Sequence, residues 1–321
     1  MDVLTTCLLF ALGLLLIIKG GNWFIDAASW VAKITGMPDI LIGATIVSLG
    51  TTFPELMVSA TSAIQGHGDM ALGNAIGSTI CNIGLILGIC NVISPTKINS
   101  RIFNIKAFIM VFYIFALLLM SLDGKIGSMD TVLLILGVIV YVLVNYLEVR
   151  IKKNSPDNLK PARIPAAISR RATAKEKGGN ILKFFAGAFS IVAGARLLVD
   201  NGIVLAAILK VPDVIISLTF IALGTSLPEL VTSVTALVKG HRNLSVGNII
   251  GANIINISMV IGASSIFRPL DMPPQIRNWD LPFSILMIIA LTLPSFVTRR
   301  ISRIQAAVLL ALYGIYIFIS F

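Results

Sequence analysis

Residues 50–56 read GTTFPEL, and residues 224–230 read GTSLPEL. The two heptapeptides are the centre of a longer internal repeat, because the sequence aligns with itself without a gap when it is shifted by 174 residues. The matches run from Asp26 with Asp200 to Gly88 with Gly262. Self-similarity of this extent predicts one structural unit that is built twice.

The composition predicts a membrane protein. Of the 321 residues, 56% are hydrophobic and 12% are charged, whereas a soluble domain carries about 25% charge. Many apolar runs approach the roughly 20 residues that a helix needs to cross a bilayer, and no segment shows the alternation of a transmembrane barrel. Since only helices and closed barrels satisfy their backbone in lipid, we expect an all-α polytopic membrane protein. The first run, Val3–Ile18, lacks a preceding Lys or Arg, which favours a transmembrane helix over a cleaved leader.

We count about five spans before the polar stretch 150–183 and five after it, which gives ten transmembrane helices. Because five is odd, the second copy enters the membrane from the opposite side, and the halves become inverted repeats, as in many secondary transporters. The expected domains are a five-helix repeat over 1–149 with its motif at 43–88 and a second over 184–321 with its motif at 217–262. The basic linker between them is too short to hold a folded regulatory domain.

The distribution of positive charge orients this layout. With the 150–183 linker in the cytoplasm, 20 of the 25 Lys and Arg residues fall inside and 5 fall outside. The positive-inside rule therefore predicts that both termini lie outside. The net charge of +10 then reflects topology and attraction to anionic lipid, so we expect the lipid bilayer as partner, no nucleic acid and no obligate protein partner. The short linker and the lack of a targeting segment suggest a prokaryotic plasma (inner) membrane.

Two acidic residues, Glu55 and Glu229, lie inside apolar stretches instead of at span ends. An ionised carboxylate at that depth costs at least about 2.5–3.5 kcal/mol. A protonated glutamate that is hydrogen-bonded within the bundle is the structural alternative. The repeat favours a functional interpretation, because it gives the two glutamates symmetry-related positions, where together they would form a cation pocket.

The residues beside each glutamate predict a broken helix. Pro54 and Pro228 each lack an N–H and clash with the preceding turn, and Gly50 and Gly224 loosen the backbone. A break frees carbonyl oxygens, and the negative end of a half-helix dipole favours cations. The stretch also supplies hydroxyl oxygens from Thr51, Thr52, Thr225 and Ser226.

The second half of each motif adds more oxygen ligands. Ser78 and Asn82 share a helix face, and the equivalent pair is Ala252 and Asn256, so one hydroxyl is missing there. Glycines in the same segments allow close helix approach, and the asparagines are alternatively explained as interhelical hydrogen-bonding residues. The complete set is oxygen only, which suits hard cations such as Ca²⁺ and Na⁺. We expect these ions as substrates and no cofactor.

The repeated pattern G-T-[ST]-x-P-E-L followed by G-N-x-[IL]-G-[SA]-[NT]-I-x-N-I resembles the two α-repeats of the cation/calcium antiporter superfamily, closest to its sodium/calcium exchanger branch. The resemblance implies that Glu55 and Glu229 bind Ca²⁺ and Na⁺ alternately by alternating access at a midplane site, and that the first and sixth helices slide as a gate. It also implies three further groups of ligands: the hydroxyl-bearing Thr51, Thr52, Thr225 and Ser226; carbonyls near Ser48 and Ala222; and the cavity-lining Ser78, Asn82 and Asn256.

Position 256 departs from part of the family. It is Asn where potassium-dependent exchangers and some prokaryotic ones carry Asp, which counts against K⁺ co-transport. The vacuolar proton/calcium antiporters have a different first repeat, which counts against proton coupling. A Na⁺/Ca²⁺ exchanger is thus the first expectation, with a H⁺/Ca²⁺ antiporter or a K⁺-dependent variant as alternatives.

Two other classes of protein fit the sequence less well. GHGD at 66–69 matches the G-x-G-D pattern of intramembrane aspartyl proteases, but no Tyr-Asp partner accompanies it. A passive cation channel needs a continuous pore, whereas broken helices in an inverted repeat favour alternating access. We therefore expect a transporter and not an enzyme.

Overall fold

The computed structural model describes residues 3–98, 101–153, 174–208, 224 and 226–320. Within these ranges the chain is almost entirely helical. The helices are α1 (Val3–Thr35), α2 (Asp39–Thr51), α3 (Phe53–Ile64), α4 (Gly68–Ile93), α5 (Arg101–Met120), α6 (Ser128–Lys153), α7 (Ala174–Ile208), α8 (Leu227–Val238), α9 (Arg242–Phe267), α10 (Ile276–Thr298) and α11 (Arg303–Ser320).

Among the described residues, seven helices are long and apolar enough to cross a membrane, and the bent pair α2–α3 makes an eighth candidate span. This confirms a helical, multi-pass membrane protein. Large apolar side chains cover the outside of the bundle, as Phe108, Phe112 and Leu119 of α5 illustrate. Lipid is the solvent for such a surface, so these side chains carry no cost there. The count of ten helices stays a prediction.

The predicted helix break at the first motif is confirmed. Helices α2 and α3 meet at Thr52 with a bend of 44°. Pro54 is the second residue of α3, where its missing N–H removes no hydrogen bond that the helix needs. Pro228 has the same place in α8. Of the residues just before α8, only Gly224 and Ser226 are described.

The repeat extends to the bounds of the helices. At the offset of 174 residues, α3 corresponds to α8 end for end, and Gly68–Cys81 of α4 corresponds to Arg242–Ile255 of α9. Both α4 and α9 then change to π-helical turns at equivalent asparagines, Asn82 and Asn256. Such turns inside α-helices occur frequently at functional sites.

Helices α1 and α7 pack against each other through glycines. A Cβ on Gly20 would lie 2.8 Å from the carbonyl oxygen of Gly187, and one on Gly194 would lie 2.7 Å from that of Gly13. The backbones therefore touch, as small residues allow between membrane helices. Gly13 and Gly187 are equivalent in the repeat, as are Gly20 and Gly194. The contact is thus reciprocal, which is the pattern of a two-fold axis.

In the described part of the chain, two short antiparallel strand pairs join the loops. Strand β1 (Thr96–Lys97) pairs with β4 (Arg300–Ile301), and β2 (Lys125–Ile126) pairs with β3 (Leu270–Asp271). Each pair joins one loop before the linker to one loop after it. The first pair joins two loops that we predict inside, and the second joins two that we predict outside, so the pairing is compatible with the predicted topology.

Candidate ion-binding site

Glu55 and Glu229 are both fully buried. Each lies in the first turn of its helix, Glu55 in α3 and Glu229 in α8, directly after the proline. Unpaired N–H groups give a helix N-terminus a partial positive charge, which stabilises a carboxylate there. The two carboxyl groups lie close enough to interact electrostatically. The fold therefore brings together the two acids that the sequence singled out.

The hydroxyl groups of the first motif reach the second half of the chain. The Oγ1 of Thr52 donates a hydrogen bond to Oε1 of Glu229 at 3.3 Å. The Oγ1 of Thr51 lies 3.3 Å from Oδ1 of Asn248. Both threonines are buried. The bend between α2 and α3 places them beside the second glutamate.

Several buried polar atoms, most of them on predicted ligands, have no hydrogen-bond partner among the described residues. They are both carboxylate oxygens of Glu55, Oε2 of Glu229, Oγ of Ser226, Oδ1 of Asn82, both amide atoms of Asn256 and Nδ2 of Asn253. An unsatisfied buried polar atom costs about 1–3 kcal/mol, and more for charged groups. Most of these atoms are oxygens, and a hard cation would satisfy them.

The other predicted ligands are found in different settings. The carbonyl of Ser48 accepts a hydrogen bond from the backbone N–H of Thr52 at 2.9 Å. The helix break therefore does not free this carbonyl oxygen in this structure. Ser78 is buried in α4 one turn before Asn82. Thr225 and Ala222 lie outside the described residues.

Three asparagines near the site were not among the predicted ligands, and two of them, Asn248 and Asn253, are fully buried. Asn253 accepts a hydrogen bond from Nδ2 of Asn82 at 3.0 Å, which leaves the carbonyl oxygen of Asn82 available. Asn248 donates to Oγ1 of Thr232 at 3.1 Å and to Oγ of Ser233 at 3.4 Å.

Asn74, the equivalent of Asn248, donates to Oγ of Ser59 at 2.9 Å and to the backbone oxygen of Glu55 at 3.3 Å. Asn74 and Asn248 were visible as matched polar residues of the repeat. Their amides fix the helices that carry the glutamates.

The comparison with known proteins identifies the family. The family model described as "Sodium/calcium exchanger protein" matches residues 5–147 and 180–321, which is most of the chain. The chain belongs to the sodium/calcium exchanger protein family. It is accordingly a transporter of the exchanger type and not an enzyme.

Individual relatives match over nearly the whole length. Inner membrane protein YrbG of Escherichia coli (strain K12) is 31% identical over 93% of this chain and 90% of its own. Sodium/calcium exchanger MaX1 of Methanosarcina acetivorans is 29% identical over 98% of both chains. Among solved structures, the sodium-calcium exchanger NCX_Mj soaked with zero Na⁺ and Ca²⁺ matches with a TM-score of 0.85, 28% identity and full coverage of both chains. The transporter therefore shares its overall fold with a sodium-calcium exchanger.

Proposed function

We propose that the protein exchanges Ca²⁺ for Na⁺ across the plasma membrane by alternating access at a site near the bilayer midplane. The observation that carries this proposal is the buried pair Glu55 and Glu229, in which three of the four carboxylate oxygens have no hydrogen-bond partner among the described residues. Two carboxylates balance the charge of one Ca²⁺, or that of a set of monovalent ions. Competition of the two ions for one site leads to exchange.

The proposed ion ligands are those expected from the sequence. The carboxylates of Glu55 and Glu229 form the centre, and Thr52 lies beside them through its hydrogen bond to Glu229. The further proposed ligands are Thr51, Thr225, Ser226, Ser78, Asn82 and Asn256 with their side chains, and Ser48 and Ala222 with their carbonyls.

The proposed architecture is ten transmembrane helices in two inverted five-helix repeats, residues 1–149 and 184–321, with a cytoplasmic linker at 150–183 and both termini outside. The reciprocal glycine contacts of α1 with α7 support the two-fold relation. The same contacts suit a gate, since they pack α1 tightly against α7 and the two helices can move together.

Radioactive Ca²⁺ uptake into proteoliposomes loaded with Na⁺ tests the function. Dilution into Na⁺-free buffer should drive uptake, whereas a pH jump or a K⁺ gradient alone should not. Uptake that requires the pH jump would make protons the counter-ion, and uptake that requires K⁺ would indicate the K⁺-dependent variant. No uptake under any gradient would refute Ca²⁺ as the substrate.

Cysteine labelling tests the topology. A cysteine in place of Lys160 should react only from the cytoplasmic side, and one in place of Asp271 only from outside. The reverse pattern would refute the orientation.

A further inference from the structure

Three charged residues are buried among the residues that the structure describes: Glu55, Glu229 and Lys106. The first two form the proposed ion site, and Lys106 is the third. The charge count behind the predicted topology places Lys106 in a cytoplasmic loop, but it lies within α5 and is 1% exposed. Burying an ammonium group costs several kcal/mol unless it is well paired, and buried charges in membrane helices are usually functional.

The partners of Lys106 lie on one face of α6. Its Nζ is 2.7 Å from Oε2 of Glu148 and 2.6 Å from Oδ1 of Asn145, and it lies 5.2 Å from the ring centroid of Tyr141. Nδ2 of Asn145 donates to the carbonyl oxygen of Tyr141 at 2.8 Å. We call these four residues the Lys106 cluster. The ion pair with Glu148, the hydrogen bond to Asn145 and the cation–π contact of Lys106 together hold the Tyr141 ring in one orientation.

The Lys106 cluster reaches α2 through Tyr141. The Tyr141 hydroxyl donates a hydrogen bond to the carbonyl oxygen of Ala44, which lies in the π-helical turn of α2. Gly251 of α9 packs against the same residue, since a Cβ there would lie 2.7 Å from Cα of Ala44. The turn is therefore held between α6 and α9.

The held turn lies directly before the proposed ion ligands. Helix α2 ends at Thr51, and Thr52 follows with its hydrogen bond to Glu229. A shift of α2 at Ala44 would therefore move Thr51 and Thr52 relative to the second glutamate. Because ligand geometry sets cation affinity, the position of α2 would set the affinity of the site.

The second half of the chain has no equivalent of this lysine. The position equivalent to Lys106 is Asp280, which carries the opposite charge. The hydroxyl of Tyr316 in α11 donates a hydrogen bond to Oδ1 of Asp280 at 3.0 Å. Its acceptor is therefore a side chain, whereas the acceptor of the Tyr141 hydroxyl is a helix backbone carbonyl. Among the described residues, the connection from a buried cation to a half-helix is thus a feature of the first half.

We propose that Lys106, Asn145 and Glu148 are positioning residues that hold Tyr141 against Ala44 and thereby set the ion affinity of the site. This inference rests on the proposed function for the identity of the ions. It predicts that loss of the Tyr141 hydroxyl changes the Ca²⁺ concentration at half-saturation and leaves the maximal rate nearly unchanged.

The test compares Tyr141→Phe with Tyr113→Phe by Ca²⁺ uptake at varied Ca²⁺ concentration. Tyr113 is a matched control, because its hydroxyl donates to the carbonyl oxygen of Gly137 and so joins α5 to α6, whereas the Tyr141 hydroxyl joins α6 to α2. A net hydrogen-bond contribution predicts a rise in the half-saturating Ca²⁺ concentration of about three- to ten-fold for Tyr141→Phe. Tyr113→Phe should stay within about two-fold of wild type. Equal values for the two variants would refute the proposal.

A second pair of variants separates positioning from folding. Lys106→Met leaves Glu148 without its close partner, whereas Lys106→Met combined with Glu148→Gln removes both charges and should restore yield and insertion. If Lys106 positions Tyr141, the double variant still shows the raised half-saturation, and adding Tyr141→Phe changes it little further. Lys106→Arg should keep wild-type affinity. Full recovery of affinity in the double variant would mean that Lys106 serves folding alone.

Hydrogen exchange gives a readout that does not depend on transport. Tyr141→Phe should speed the exchange of backbone amides in residues 43–52, and Tyr113→Phe should not. If wild type shows no Na⁺-driven Ca²⁺ uptake but this difference is observed, the proposed function fails and the positioning of α2 stands. Equal exchange in both variants would refute the role of Tyr141 in holding α2.

Discussion

Glu55 and Glu229 occupy equivalent positions of the repeat, but their surroundings differ. Glu229 accepts a hydrogen bond from Thr52, whereas neither oxygen of Glu55 has a partner among the described residues. The hydroxyl equivalent to that of Thr52 belongs to Ser226, and it makes no hydrogen bond within the described part of the chain. The repeated sequence thus provides the groups for two equivalent hydrogen bonds, Thr52 to Glu229 and Ser226 to Glu55, and the structure forms the first of them.

The equivalent asparagines can be compared within the described residues. Asn248 contacts Thr51 of the first motif as well as Thr232 and Ser233 beside it, and Asn74 bonds to Ser59 and Glu55. Thr225, the equivalent of Thr51, lies outside the described residues. Through Thr51 and Thr52, the break in the first motif is attached to the second half of the chain. In the proposed inverted-repeat architecture one half moves against the other during transport, so we expect the halves to differ in any single state.

The largest effect should come from removing either carboxylate. We expect Glu55→Gln and Glu229→Gln each to lower Ca²⁺ uptake by about a hundred-fold or more, because a charged ligand of the cation is lost and the change costs about 3 kcal/mol. The measurement is Na⁺-driven uptake into proteoliposomes at equal protein content, with folding checked by gel filtration. Normal flux in either variant would exclude that glutamate from the site.

The next effect tests the asymmetry of the hydroxyls. Thr52→Val removes a hydrogen bond to a carboxylate and should weaken Ca²⁺ affinity about ten-fold, while Ser226→Ala should weaken it about three-fold, as expected for a neutral ligand oxygen. Competition between Ca²⁺ and a fixed radioactive tracer gives both affinities. A larger effect at Ser226 would reverse the order that this conformation predicts.

Substitution of the two asparagines should destabilise the protein to different degrees. Asn248→Ala leaves the buried hydroxyls of Thr51, Thr232 and Ser233 with one partner fewer and should cost about 2 kcal/mol. Asn74→Ala affects two acceptors within one half and should cost about 1 kcal/mol. The melting temperatures of the purified variants in detergent give the order. If the two values coincide, the contact between halves contributes nothing to stability.

The smallest effect concerns the ions other than Ca²⁺. Asn256→Asp places a third carboxylate where both amide atoms of Asn256 lack partners among the described residues. We expect a change of a few-fold in the Na⁺ or K⁺ concentration needed for half-maximal exchange, since additional ligand charge alters cation affinity. Uptake across Na⁺ and K⁺ titrations measures it, with Asn91→Asp, at a buried asparagine of α4 nearer the helix end, as the control. An unchanged ion profile would remove Asn256 from the site.

The sequence by itself determined the membrane class, the helical fold, the break at GTTFPEL and the two important acids. The physical reason is that lipid makes charge and unpaired backbone costly. Under that constraint hydropathy locates the spans, proline with glycine marks a break, and a glutamate inside an apolar stretch favours a functional interpretation. The resemblance of the repeated motifs indicated the family, which the comparison of the whole chain confirms.

Only the tertiary structure decided which atoms meet. The hydrogen bond of Thr52 to Glu229 and that of Tyr141 to Ala44 join residues far apart in the chain. These hydrogen bonds depend on how each helix is rotated and on how closely glycines let the helices approach. Neither the rotation nor the approach is encoded in a local sequence pattern. Lys106 illustrates the limit of prediction from sequence. Counting charges assigns it to a loop, whereas the structure buries it because α6 supplies a carboxylate and an amide as partners. The repeat made the two halves alike, and packing made them different.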